Sequence, residues 1–274
     1  MKNLICRFIA VVAILLLAAG FAEAVWIDIT DSGMEVTGPD TMVLHNVSAV
    51  TGYYSVDFLW NAKKNAWVAT GAKLEDFSSR DYFPLTDGST WTYASSIGMP
   101  LTLTVSGIDY VCGEPCVRLL DSSGGETYWI SDDTGISMTK YVFPDGIFNA
   151  WCPPMKISPA HLYIGSQSLN PFYDAVIGTW WGVFGTIDGW SEFSVKGLED
   201  VTVPAGTFTD CFRATFNMSY TGSDGAQGIR TEDAWYAKGV GIVKRMTTDI
   251  SAYGLSVYKA SAGVYELQSY WIAE

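Results

Sequence analysis

Glu126, Asp132 and Asp133 flank Trp129, and Glu232 and Asp233 precede Trp235. Two carboxylates placed across a glycosidic bond supply the acid and the base or nucleophile of glycan hydrolysis. Trp offers a face on which a sugar ring can stack. The same neighbours also arise in any acidic, Trp-rich β protein, where each acid is simply a turn or surface residue. Other chemistries lack their parts. The chain has two histidines, His45 and His161, and no serine lies in a G-x-S-x-G elbow. No Gly-rich phosphate cradle opens a helix. The loops 121–126 and 131–135 are rich in Asp, Ser, Thr and Gly, but neither has the ligand spacing of an EF-hand loop. They read as turns. No catalytic residue, metal or cofactor is expected.

The cysteines depend on compartment. Lys2 and Arg7 precede an apolar run at 8–19, followed by Ala22-Glu23-Ala24. This is the plan of a secretory signal peptide over residues 1–24. The apolar run is short of the roughly 20 residues that span a bilayer. A secreted or periplasmic protein that is not transmembrane is expected. In an oxidising compartment Cys112, Cys116, Cys152 and Cys211 read as structural disulfides. The turn formers in Cys112-Gly-Glu-Pro-Cys116 point to a Cys112–Cys116 bridge, leaving Cys152 for Cys211. The net charge of −13 argues against nucleic acid, whose phosphates would be repelled.

One pattern occurs twice. Cys116-Val-Arg118 is followed by Trp129 and then Gly135-Ile136. Cys211-Phe-Arg213 is followed by Trp235 and then Gly241-Ile242. Arg118, Arg213, Trp129 and Trp235 are therefore the candidate ligand-binding residues. Their plainer reading is arginines paired with nearby carboxylates and tryptophans anchoring a core.

The elements that would hold these residues are strands. Tyr54, Val56, Phe58 and Trp60 alternate onto one face, a polar turn follows at 61–65, and 53–74 reads as a β-hairpin. Residues 25–79 form an N-terminal β segment, with a boundary at 75–80. Residues 80–274 form a duplicated β domain, with copies at about 80–150 and 155–250 and a closing strand at 264–272. No segment carries a sustained helical stripe. Residues 143–190 read as a long crossing loop with room for a short helix. Antiparallel strands must hide their edges, so the fold class is all-β: a barrel, half-barrel or curled sheet.

Tyr82-Phe-Pro-Leu…Gly88-Ser-Thr-Trp91-Thr-Tyr93, Val201-Thr-Val-Pro-Ala-Gly-Thr-Phe208…Cys211 and Trp235-Tyr-Ala-Lys-Gly-Val-Gly-Ile-Val-Lys244 resemble phrases of an uncharacterised bacterial family. Its members are exported or lipid-anchored β proteins (a domain of unknown function, TapB-like). The family is remotely similar to the LolA/LolB lipoprotein carriers, whose half-barrel curls around a helical lid and holds acyl chains. The resemblance covers about residues 80–250. It implies a fold and a compartment, and it brings no catalytic residues. The leading expectation is an exported, non-catalytic binding or envelope-associated protein whose partner is a lipid, a glycan or an envelope protein. A glycan-binding module and a carboxylate-based glycan hydrolase are the alternatives.

Overall fold

The computed structural model describes residues 33–49, 52–74, 77–253 and 256–273. The expected signal segment, residues 1–24, lies outside them. The chain divides into two compact units, Met1–Asp76 and Phe77–Glu274.

In the first unit β1 (Gly33–Gly38), β2 (Thr41–Ala49), β3 (Gly52–Asn61) and β4 (Ala66–Leu74) form one antiparallel sheet in chain order. The expected hairpin is β3–β4, turning at Asn65, whose φ is +49°. Alternation puts Val56 and Phe58 on the buried face, against Met42, Leu44, Trp67 and Ala69.

The second unit begins with β5 (Phe77–Ser78) and a single 3₁₀ turn, Ser79–Tyr82. The strands that follow are β6 (Thr90–Ser95), β7 (Leu101–Val111), β8 (Glu114–Asp121), β9 (Glu126–Asp132), β10 (Gly135–Val142), β11 (Phe148–Pro159), β12 (His161–Leu162), β13 (Gln167–Thr179), β14 (Gly182–Val203), β15 (Gly206–Gly222), β16 (Ala226–Ala237), β17 (Gly241–Tyr253) and β18 (Ser256–Trp271). Twelve of them, β6–β11 and β13–β18, close into one antiparallel barrel, and β12 pairs with β5 outside the ring. No α-helix occurs among the described residues. The chain is thus all-β, and of the barrel, half-barrel and curled sheet it forms the closed barrel.

Most neighbours in the ring are hairpins, which fix register locally. Gly135 and Gly241 open β10 and β17 with φ of +119° and +96°, values that favour glycine. A Cβ at Gly135 would also collide with the Ser158 carbonyl. The inward faces bury Phe193, Phe212, Ile187, Met155 and Leu267.

Two seams of the ring are not hairpins. At β18–β6 the strands pair from Tyr265↔Ser95 to Trp271↔Thr90. At β11–β13 pairing stops after Phe148↔Gly178, Asn149↔Ile177 and Ala150↔Val176. The next residues of β11 are Trp151-Cys152-Pro153-Pro154. Proline has no N–H to donate, so the ladder cannot continue through them. On the other side of β11 the register jumps from Lys140↔Ala150 to Met138↔Met155, so residues 151–154 bulge out of the sheet.

Two expectations are corrected. Residues 143–190 are not a crossing loop with a helix; they are strands, from β11 to the first part of β14. Their Pro and Gly residues mark a bulge and a hairpin turn instead of loop. The Cys112–Cys116 bridge does not form either. Cys112 is itself a turn residue (φ +54°), with Gly113 (φ +85°) beside it. The hairpin closes at Val111↔Glu114, which puts Cys116 opposite Asp109, inside the ladder. The disulfide joins Cys112 to Cys152 of the bulge, with Cα atoms 6.1 Å apart, while Cys116 and Cys211 are free and buried.

Peptide mapping of non-reduced protein should recover Cys112 linked to Cys152, with Cys116 and Cys211 alkylated only after unfolding. Replacing Cys112 and Cys152 by Ser should lower unfolding stability by roughly 2–4 kcal/mol, as expected for a bridge closing a loop of this size. A Cys112–Cys116 peptide would contradict the assignment.

Candidate functional site

Three of the four candidate residues, Arg118, Arg213 and Trp235, fall into two constellations built alike, and Trp129 falls outside them. Strand register places Arg118 opposite Tyr128, and Lys140 opposite Tyr128 on its far side. It places Arg213 opposite Trp235, and Lys244 opposite Trp235 on its far side. Residues directly opposite share a face, as do residues two apart in a strand. Cys116 and Glu126 therefore join the first group, and Cys211 and Asp233 the second. Arg118 clamps Glu126 with Nε and Nη2, at 3.2 and 2.5 Å. Arg213 clamps Asp233 with the same two nitrogens, at 3.4 and 2.9 Å. The Arg213 guanidinium and the Lys244 ammonium both approach the Trp235 ring, at 5.3 and 5.9 Å. Lys140 approaches Tyr128 at 5.4 Å.

Trp129 is not the counterpart of Trp235. It opposes Val117 and Met138, one residue out of step, so it lies on the other face of its sheet. Its Nε1 donates to Thr127 Oγ1 at 2.7 Å, and it packs against the apolar cluster that holds Trp151 and Met155. Trp235 is buried, with Nε1 donating to Glu199 Oε2 at 2.8 Å. The signal that finds the true match is acid-x-aromatic: Glu126-x-Tyr128 and Asp233-x-Trp235.

The electrostatics are those of clamps. The Arg118 hydrogen bonds hold the Glu126 carboxyl below its usual range, against the opposing effect of burial. Burial, then the Glu126 hydrogen bond, pushes the Tyr128 phenol up to about 12. Burial pushes the Cys211 thiol up to about 11, so it stays protonated and unreactive at neutral pH. Each acid near the tryptophans has its own partner. Glu126 takes Arg118 and Asp233 takes Arg213. Asp132 accepts from the backbone N–H and hydroxyl of Thr134. Asp133 meets Arg80 at 3.3 Å and Glu232 meets Arg230 at 3.0 Å.

A different region has the form of a binding site, and no motif in the sequence marked it. Where the β11–β13 ladder stops, a cavity of about 240 Å³ opens between the strands, lined by Pro153, Met155, Lys156, Asn170, Phe172 and Tyr173. Asn170 Nδ2, Ser168 Oγ and Trp151 Nε1 are buried without a hydrogen-bond partner. Each such atom carries a desolvation cost of about 1–3 kcal/mol that a ligand can offset. Met155, Phe172 and Trp151 also belong to the apolar cluster inside the barrel, so the opening leads into the core. Burial lowers the Lys156 pKa, with Asp132 opposing the shift, and Lys156 Nζ donates to Thr134 Oγ1 at 2.6 Å.

The interior beyond is partly polar. Arg230 bridges Glu232 and Asp249 at 3.0 and 3.5 Å. Its side chain is 31% exposed, and it shares a face of β16 with Glu232. Arg245 lies over the Tyr265 ring at 4.6 Å, with a buried Nε that has no partner.

Residues 191–251 match the DUF3108-like family. The match runs from β14 to β17 and contains the Val201–Cys211 and Trp235–Lys244 phrases on which the resemblance rests. Two solved structures are also similar. One is a candidate lipoprotein from Parabacteroides distasonis, with 14% identity, 69% of this chain and 98% of that one covered, and a TM-score of 0.36. The other is a candidate exported protein with a YmcC-like fold from Bacteroides fragilis, with 16% identity, the same coverage and a TM-score of 0.36. No curated protein matches.

Because the folded-state pKa of Glu126 is depressed, its ion pair stabilises the protein above the ordinary glutamate range. That contribution is lost as pH falls through the depressed value. Glu126→Gln should cost up to about 1 kcal/mol at neutral pH, a small figure because the pair is partly solvated. It should also flatten the acid limb of stability in urea titrations run across acidic pH. An unchanged acid limb would show that the clamp is not formed in solution.

Proposed function

We propose that this is an exported, non-catalytic binding protein of the cell envelope, and that it takes an amphiphilic, lipid-like ligand through the opening between β11 and β13. The observation that carries this reading is the unlaced seam with unpartnered polar atoms beside an apolar path. Met155, Phe172 and Trp151 suit an acyl chain. Asn170 offers a hydrogen bond, and Lys156 a positive charge, to a polar head. At about 240 Å³ the cavity is smaller than the roughly 300–1,000 Å³ of a drug-sized pocket, so it suits one chain or one headgroup.

The barrel is read as one six-stranded unit used twice, β6–β11 and β13–β18. Three backbone hydrogen bonds recur in the two halves and support this. Gly88 N donates to Val105 O, Val105 N to Ser89 O and Ser89 N to Thr86 O. In the same way Gly165 N donates to Val195 O, Val195 N to Ser166 O and Ser166 N to Tyr163 O. On this reading β18–β6 is the seam that stayed laced, and β11–β13 is its counterpart, opened by Pro153, Pro154 and the bulge. Residues 1–24 would be removed on export.

Native mass spectrometry of gently purified protein should show a copurified amphiphile, and dansyl-undecanoate should bind once it is stripped. Asn170→Leu should weaken dansyl-undecanoate binding about tenfold through loss of a buried hydrogen bond to the ligand. The same change should leave the urea midpoint level or raised, because it removes an unpartnered amide. A wild-type protein that binds neither amphiphile nor probe, or a variant that binds as well as wild type, would sink the proposal.

A further inference from the structure

The β13–β14 hairpin runs on past its neighbours in the barrel. β11 last pairs with it at Gly178, and β15 last pairs with it at Ile187. Ser223 holds Thr186 through two hydrogen bonds, at 2.8 and 3.1 Å. Beyond that point residues 179–185 pair only within the hairpin, as in Ile177↔Gly185, Gly178↔Val183 and Thr179↔Gly182. At the turn stand Trp180 and Trp181, 75% and 79% exposed, with ring centroids 3.4 Å apart. Val183 and Phe184 are exposed beside them.

A free-standing tip of four large apolar side chains has a cost in water and needs a cover. Its chemistry selects the cover. Residues 175–187 contain no charged residue and no histidine, and Asp174 and Asp188 bound the run at its base. The Asp188 carboxylate accepts from the Asp174 N–H at 2.7 Å, which marks where the charge-free part ends. Tryptophan carries an apolar body and one N–H, the combination that partitions into the headgroup layer of a bilayer. The hairpin's own ladder satisfies much of its backbone, so the tip can leave bulk water with few orphaned polar groups. A narrow protrusion fits between lipid headgroups, whereas a stable protein partner needs a broad face. The acidity of the whole chain, net −13, disfavours an anionic surface and leaves a zwitterionic one.

We propose that Trp180, Trp181, Val183 and Phe184 form a membrane-interface anchor that seats the barrel on a zwitterionic phospholipid surface. The anchor and the opening share one hairpin: Asn170 and Phe172 lie on β13, and β13 ends at the tip. This inference stands beside the proposed ligand site and makes the bilayer the place where that site is loaded.

The test uses full-length mature protein and large phosphatidylcholine vesicles, read by co-sedimentation and by quenching of tryptophan emission with brominated lipid. Wild type should bind, and its emission should shift to the blue. Trp180→Ser with Trp181→Ser and Phe184→Ser should weaken binding by a factor of about 100 or more, given the apolar area each side chain withdraws from water. Ile108→Ser with Tyr110→Ser, equally exposed on the β7–β8 hairpin, should bind like wild type. The tip variant should still take up dansyl-undecanoate without vesicles, which separates a failure of the anchor from a failure of the ligand site. Three results would overturn the anchor: no vesicle binding by wild type, equal binding by the tip variant, or lipid-free self-association or glycan binding that the tip substitutions abolish.

Discussion

Ring closure is the constraint on which the rest depends. Every antiparallel strand has two hydrogen-bonding edges, and an edge left open in water recruits other chains. Hairpins satisfy ten of the twelve junctions in this barrel as a by-product of chain order. The other two join strands that are not hairpin partners, and their lacing differs. One is continuous from Tyr265 to Trp271. The other stops at Ala150: Pro153 and Pro154, three and four residues on, cannot donate, and β13 breaks register across from them between Phe172 and Ala175.

The features of the second unit that bear on function follow from that stop. The bulge at 151–154 has no ladder to hold it, and a disulfide to Cys112 ties it to the β7–β8 hairpin instead. The gap it leaves is lined by Met155, Phe172 and Asn170, whose Nδ2 is buried without a partner. Across the gap β13 leans on β14 alone for most of its length, and the two strands continue together to the Trp180–Trp181 tip. On the proposed reading, the opening takes the amphiphile and the protrusion on the same hairpin meets the surface.

The twin arginine clamps belong to the scaffold. Each ties neighbouring strands with two hydrogen bonds from one guanidinium to one carboxylate, beside a buried cysteine, and Arg213 also reaches Glu199 and the Trp235 ring. The planar fork of arginine suits this because it holds a carboxylate at two points and fixes register as well as distance. The arginines of the motif thus brace the barrel's ladders, while the opening lies in a stretch that the motif does not include.

Alternation of residue type is a local property, so the all-β class, the β3–β4 hairpin and the strands that carry Arg118, Arg213 and Trp235 were legible from the chain alone. Spacing also showed the twofold pattern, although the Trp129 match slipped by one residue. Two adjacent aromatics at 128 and 129 point to opposite faces, and only the partner strand says which one opposes arginine. The cysteine pairing was beyond local reading for the same reason. Cys112 and Cys152 are 40 residues apart, and whether Cys112 sits in a turn or in a ladder depends on the register of β7 with β8. The opening was hidden because its cause is something missing, the N–H groups of Pro153 and Pro154. That lack matters only where a neighbouring strand was due to receive them. Sequence determined most of the segments that become strands, by alternation, but not those within 143–190. The tertiary structure decided which edges meet, because hydrogen-bond partners across a closed ring are set by the positions of all twelve strands together.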